Sequence, residues 1–157
     1  MSKLHQYHTR TSWTGAGETG TTGYKDYSRD YTLSMEGRPP ILASSDPAFL
    51  GDPTRHNPED LLVASASACH MLWYLHYCAV GGVVVKSYLD DAEGVMDEGG
   101  PGRGGRFTKI TLRPRITITA ESDIAKAEAL HEKAHAACFI ANSLNCPVEI
   151  EPTIEWD

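Results

Sequence analysis

The sequence predicts an α+β domain in which largely antiparallel sheets pack on a central buried helix. Three observations carry that expectation. Strand-like and helix-like patterns follow in the order strands, helix, strands, helix, strand. Residues 107–118 and 148–156 alternate apolar and polar side chains, the period of a half-buried strand. Residues 61–77, in contrast, carry no Lys, Arg, Asp or Glu and are apolar on nearly every face of a helix. With no internal repeat and no break in composition, residues 1–157 read as a single domain.

Each element has its own signal. Residues 7–13 and 27–35 are rich in aromatic residues and Thr, as strands are, and the turn-rich segment 15–23 separates them as the long loop of a hairpin. Pro39, Pro40 and the stretch 44–53 read as an irregular connection to the first helix. Asn57 suits the N-cap and Pro58 the first helical position, while Glu59 and Asp60 place negative charge where the helix dipole favours it. Gly81 and Gly82 end that helix, and strand-like residues resume at Val83. A Gly-rich loop, 98–105, leads into the alternating run with Ile110, Leu112, Pro114, Ile116 and Ile118 inward. Pro114 lacks an N–H, so it marks an edge or a bulge. Ser122 is the expected cap of a second helix with Ile124, Ala127, His131, Ala134, Cys138 and Ala141 on its inner stripe, and the chain closes in one more strand.

Composition excludes some functions. A net charge of −7 argues against a phosphate-binding surface, so no nucleic-acid role is expected. Four cysteines in a chain of this length, with no signal-like opening, do not read as a secreted disulfide framework, and a cytoplasmic location is expected. Residues 61–85 are long enough to span a bilayer, but Ser65, Ser67, His70, His76 and the glycine pair speak for a buried helix, and no membrane partner is expected. Burying a helix apolar all round takes more surface than one small chain supplies, which points to a homodimer sharing its helices.

The chemistry centres on thiols. Cys69 lies in the middle of the uncharged helix, and Cys138 ends the second helical pattern. Free cysteine often only fills space, and apolar burial makes a thiol inert unless a cation stands nearby. Arg55 and Arg38 are the candidate cations, and Glu59 has the chemistry to hold one through a paired contact. A second reading comes from His131-Glu132-Lys133-Ala134-His135, an H-E-x-x-H pattern that with Cys138 makes a His, His, Cys zinc set conceivable. The set Cys69, His70, His76 and Cys78 fits a metal poorly, because helical geometry spreads it over two faces, and these residues are expected in the core. Cys146 reads as a bystander. A third reading is a non-catalytic dimeric module that binds an apolar ligand, its cysteines merely packed.

Taken together, the segment Asn57-Pro58-Glu59-Asp60-Leu61-Leu62, the small-residue run ending Ser67-Ala68-Cys69, the strand 107–118 and the segment from His131 to Cys138 resemble the OsmC and organic hydroperoxide resistance (Ohr) family, most closely its OsmC-like branch. The resemblance covers most of the chain from Asn57 onward. It implies an OsmC-like fold, an intertwined α+β homodimer with active sites at the subunit interface, and a thiol peroxidase that reduces organic hydroperoxides to alcohols in defence against oxidative stress. In that reading Cys69 is the peroxidatic thiolate, Cys138 the resolving thiol, and Glu59 orients an arginine, Arg55 being preferred to Arg38. Met71, Trp73 and Phe139 would form an apolar substrate pocket. No metal or organic cofactor is needed. An external dithiol, such as a lipoylated protein, would reduce the disulfide. The polar His70 beside Cys69, together with Cys78, departs from the small apolar residues of the family's peroxidase branches.

Overall fold

The computed structural model describes residues 3–157. Contacts cluster the chain into two compact units, one ending at Leu61 and the other running Leu62–Asp157. In the first, strands β1 (Arg10–Trp13), β2 (Tyr31–Ser34) and β3 (Ile41–Ala43) form an antiparallel meander with β2 in the middle. The long-loop hairpin is present, with Trp13 opposite Tyr31, and β3 is an addition within the stretch expected to be irregular. Helix α1 (Pro58–Gly81) starts where expected, since Asn57 Oδ1 accepts the Asp60 N–H at 2.7 Å while the Asn57 amide donates to the Asp60 carboxylate at 2.9 Å.

Within the second unit α1 buries Ala66, His70, Tyr74 and Cys78, one residue per turn, and leaves other apolar side chains open: Leu72 is 63% and Val80 70% exposed. It stops at Gly82, whose φ of +76° suits only glycine well, with the Val83 N–H returning to the Cys78 carbonyl at 2.9 Å. The expected core position of His76 is wrong: it lies exposed, edge-on to Trp73.

Six strands follow: β4 (Val85–Asp90), β5 (Glu93–Asp97), β6 (Arg106–Leu112), β7 (Pro114–Ile118), β8 (Val148–Ile150) and β9 (Thr153–Trp156). They make two sheets, ordered β4-β7-β9 and β5-β6-β8. Each central strand has an antiparallel neighbour on one side and a parallel neighbour on the other. The two long alternating runs expected as single strands are therefore each divided between two sheets. The division has a local cause. Pro114 cannot donate to a ladder and is the first residue of β7, a central strand, so a strand start takes the place of the expected edge or bulge. Just before it, the Arg113 N–H donates to Asp90 Oδ1 at 2.7 Å, and its guanidinium reaches Glu93 at 3.0 Å and Glu151 at 3.1 Å. All three chain segments change sheet at this one row of charges, with Pro152 breaking the third.

Helix α2 (Ile124–Ala137) is capped by Asp123, which accepts the Lys126 N–H, and not by Ser122. Ser122 Oγ instead accepts the Val84 N–H at 3.0 Å, fastening the start of α2 to the strand side. The inner stripe holds as far as Ala134, with Ala127, His131 and Ala134 buried, but the helix stops one residue short of Cys138, its C-cap, so Ala141, expected on the stripe, begins a separate 3-10 turn. One core cluster joins α1, α2 and the β4-β7-β9 sheet through Tyr74, Cys78, Ile116, Ile118, Leu130 and Ala134. Each fully buried isoleucine there contributes about 1.5–3 kcal/mol. A second cluster forms around Ala66, Ile110, Leu112 and Val148, with Cys146 packed against its edge. No helix among the described residues is long and apolar enough to cross a membrane.

Candidate functional site

Helices α1 and α2 bring two pairs of polar side chains together in the second unit. The first pair is Cys69, half-buried in mid-α1, and Cys138, buried at the end of α2, two free cysteines near enough for the Cys69 thiol to bear on the Cys138 proton. Burial pushes the Cys138 thiol up to about 11; the Ala141 N–H, which donates to Sγ at 3.4 Å, opposes that shift, and the adjoining Cys69 thiol adds to it. Cys138 is the last residue able to cap α2 before the chain turns into a short 3-10 segment at Ala141–Ser143. Its placement therefore follows from where the helix ends.

The second pair was not expected to form a unit. His70 Nε2 and His131 Nδ1 are 3.0 Å apart in a buried setting. Their rings are parallel within 7° with centroids 5.3 Å apart, which for such a short N–N contact means edge-to-edge in one plane and not face-to-face. Tyr74 covers the face of His131 at 3.9 Å. Burial lowers His70 to about 4 and His131 to about 3, so both are neutral imidazoles at neutral pH. The polar His70 next to Cys69 was the one sequence signal for this pair. Its partner lies 61 residues away and only the fold reveals it.

Of the apolar residues assigned to a pocket, Trp73 and Phe139 meet edge-to-face at 5.4 Å, and Trp73 also lies against Tyr77 at 5.7 Å. Met71 is half-buried and Phe139 is 67% exposed. Cys78 is sealed in the core beside Tyr74, and burial raises its thiol, the setting of an inert cysteine. Among the described residues no three His, Cys, Asp or Glu side chains are grouped to hold a metal ion. The alternative zinc set of His131, His135 and Cys138 is not assembled: His131 commits Nδ1 to His70, and the Cys138 thiol accepts the Ala141 N–H.

In the first unit, Glu59 occupies the opening turn of α1, and its charge, after burial, helps raise the Tyr31 phenol. Arg55 is flanked by Asp30 at 3.5 Å and Asp52 at 3.6 Å. Arg38 is exposed in the turn after β2. An arginine not considered from the sequence is Arg29. Its guanidinium donates to the Tyr27 carbonyl at 2.6 Å and the Tyr24 carbonyl at 2.5 Å, and stacks over the Tyr27 ring at 4.1 Å. It lines an open cleft of about 340 Å³ with Trp13, Tyr27, Tyr31 and Pro58, and no carboxylate of the described residues pairs with it. The spacing Tyr24, Tyr27, Tyr31 around Arg29 was the signal available.

A family model described as OsmC-like protein matches residues 51–153. Among solved structures, an OsmC-like protein of unknown function from Vibrio cholerae is 31% identical, with a TM-score of 0.84, over 96% of this chain and 100% of the other. An organic hydroperoxide resistance protein from Elizabethkingia anophelis shares the fold at a TM-score of 0.70 and 19% identity, with 100% of each chain covered. An organic hydroperoxide resistance protein OsmC from Legionella pneumophila does so at 0.65 and 18% identity, over 98% of this chain and 99% of the other. No curated protein matches. The motif order around Cys69 and Cys138, the matched span and the shared fold lead to one assignment: this chain belongs to the OsmC-like family.

Proposed function

We propose that the protein is a thiol-dependent peroxidase that reduces organic hydroperoxides to alcohols. The Cys69 thiolate attacks the distal peroxide oxygen, the O–O bond breaks, and the alkoxide leaves as the alcohol after taking a proton. Cys138 then attacks the Cys69 sulfenic sulfur, releasing water and forming a disulfide. An external dithiol, such as a lipoylated protein, returns both thiols. The observation that carries this reading is that a half-buried thiol in mid-α1 and a buried thiol at the end of α2, 69 positions apart in the chain, are brought into one neighbourhood as free cysteines. The family assignment supports it, as do the names of the two hydroperoxide resistance proteins that share the fold.

Trp73, Phe139 and Met71 are assigned to the apolar part of the substrate, favouring a bulky hydroperoxide over hydrogen peroxide. Glu59 and an arginine are assigned to thiolate activation. Arg55 is already flanked by two carboxylates, which weakens its claim, whereas Arg29 is held by backbone carbonyls and pairs with no carboxylate of the described residues. A homodimer is part of the proposal, in a cytoplasmic setting; the open side chains of Leu72, Val80 and Phe139 are the support for it.

The test is mass spectrometry of reduced protein after one equivalent of cumene hydroperoxide. A Cys69 to Cys138 bridge is expected. A bridge to Cys78 or Cys146, or no oxidation of Cys69, would refute the assignment.

A further inference from the structure

Two side chains of α1, one turn apart, grip one side chain of α2. His70 meets the edge of His131, Nε2 to Nδ1 at 3.0 Å, while Tyr74 covers its face, the rings 12° from parallel with centroids 3.9 Å apart. The histidine bond is straight as well as short. Its rings are parallel within 7°, and the 5.3 Å between their centroids is the N–N contact extended by one ring radius at each end, so the N–N axis runs through both rings. All three side chains are buried. An apolar contact between helices tolerates sliding and rolling, because its attraction has no direction. A hydrogen bond along one axis with a stacked face across it removes both freedoms. Two leucines would fill the same space without the cost of burying imidazoles, and the best-attested use of a polar group in such a place is to fix register.

The register fixed here is that of the two thiols. Cys69 immediately precedes His70 in α1, and Cys138 lies two turns beyond His131 at the end of α2. A second contact joins the same chain segments: Trp73, one turn beyond Cys69, meets Phe139, next to Cys138, edge-to-face at 5.4 Å. Along the second segment Cys138 therefore stands between two observed contacts to α1. Only the first of them is buried and directional, since Phe139 is largely exposed.

We propose that His70 and His131, with Tyr74, are positioning residues for closure of the Cys69 to Cys138 disulfide: their bond sets the register of α1 against α2 and so the effective concentration of one thiol at the other. This rests on the thiol-pair reading above. Closure is a displacement, in which the Cys138 sulfur must approach in line with the bond that the Cys69 sulfur breaks. A misplacement of about 1 Å between the helices is enough to slow such a step by up to about a hundredfold. Attack of Cys69 on an outside molecule depends far less on where α2 lies, so the two steps respond differently to loss of the histidine bond.

The test adds one equivalent of 4,4′-dithiodipyridine to reduced full-length protein carrying Cys146→Ser, so that the half-buried fourth thiol adds no signal. Cys69 attacks the reagent's disulfide and releases one thiopyridone. Cys138 then attacks the Cys69 sulfur, its proton leaves with the second thiopyridone, and peptide mapping confirms the bridge. In the double variant His70→Leu/His131→Leu the first phase is expected within about twofold of the parent, while the second slows about tenfold. The same tenfold loss of effective concentration makes the bridge easier to reduce in a glutathione buffer, by about 30 mV. His70→Gln, whose amide reaches the place of Nε2, should close within about threefold of the parent, and His70→Asn, one methylene shorter, should close as slowly as the leucine variant. A pair that only stabilised the core would lower the denaturation midpoint and leave the ratio of the two phases alone. Closure at the parental rate in the double leucine variant, or equal closure in His70→Gln and His70→Asn, overturns the proposal. Should the leucine variant not fold, as judged by circular dichroism, the glutamine and asparagine variants decide. A parent protein that releases no second equivalent removes the thiol pair itself and this proposal with it. The peroxidase reading fails separately, when the reagent closes the bridge but cumene hydroperoxide leaves Cys69 reduced.

Discussion

Two neighbouring pairs bridge the same two helices, and their fates differ. Cys69 and Cys138 come into one neighbourhood where α1 is half-buried, while His70 and His131, one residue along α1 and two turns back on α2, meet where nothing reaches solvent. A single residue step along a helix turns the side chain by about 100°, enough to move it from an accessible seam to a sealed core. Accessibility separates a pair suited to covalent chemistry from one suited to joining the helices. Both pairs contain groups that burial keeps neutral, so the difference lies in which one a substrate can approach.

The comparison breaks most readily at the sulfur. Cys69→Ser should abolish reduction of cumene hydroperoxide, and Cys138→Ser should accumulate Cys69 oxidised beyond the thiol, both read by mass spectrometry. Equal peroxide consumption by Cys69→Ser would end the functional distinction between the pairs.

The activating cation comes next. Loss of a cation beside a thiolate raises its pKa and slows the peroxide step by orders of magnitude, while loss of a surface arginine does little. Stopped-flow rates for Arg29→Ala, Arg55→Ala and Arg38→Ala should identify one strongly impaired variant. Severe loss in Arg55→Ala with Arg29→Ala near wild type would uphold the sequence-based preference; the opposite result would transfer the role to Arg29, and Arg38→Ala should retain most activity.

At the histidine pair the effects are on stability. His131→Leu leaves His70 Nε2 without its partner in the core, a loss of about 1–3 kcal/mol, whereas changing both residues to leucine should cost less than the sum of the single changes. Denaturant melts of the two singles and the double measure this coupling, and strict additivity would mean that the imidazoles do not depend on each other. The pair also makes stability depend on pH. Folding lowers His70 to about 4 and His131 to about 3, so the unfolded chain, titrating near pH 6.5, binds protons that the folded chain refuses. Their contribution is complete above about pH 6.5 and is lost as the pH falls from there towards 4. Thermal midpoints of the wild type should drop across that window more than those of the double leucine variant.

The smallest expected signal concerns assembly. If a second copy covers the open apolar side chains of α1, the thermal midpoint should rise with protein concentration, and light scattering should report a dimer. A folded monomer at micromolar concentration with a midpoint independent of dilution would leave Leu72 and Val80 as solvent-facing residues.

The sequence by itself determined the α+β class, the start of α1 at Asn57, its stop at the glycine pair, the inner stripe of α2 and the two thiols to watch. These are local properties: caps, glycine conformations and helical or strand periods are written within a few residues. Tertiary structure decided the rest. The alternating runs 107–118 and 148–156 have one unbroken period, yet each serves two sheets, because the break depends on Arg113 finding Asp90, Glu93 and Glu151 across neighbouring strands. Ser122 and Asp123 are both plausible caps by residue type, and the choice fell to Asp123 once Ser122 was occupied by Val84. The H-E-x-x-H pattern places two histidines one turn apart on α2, but what His131 binds was set by His70 from another helix. Partners far apart in the chain leave no mark in local periodicity, and only the packed fold specifies them.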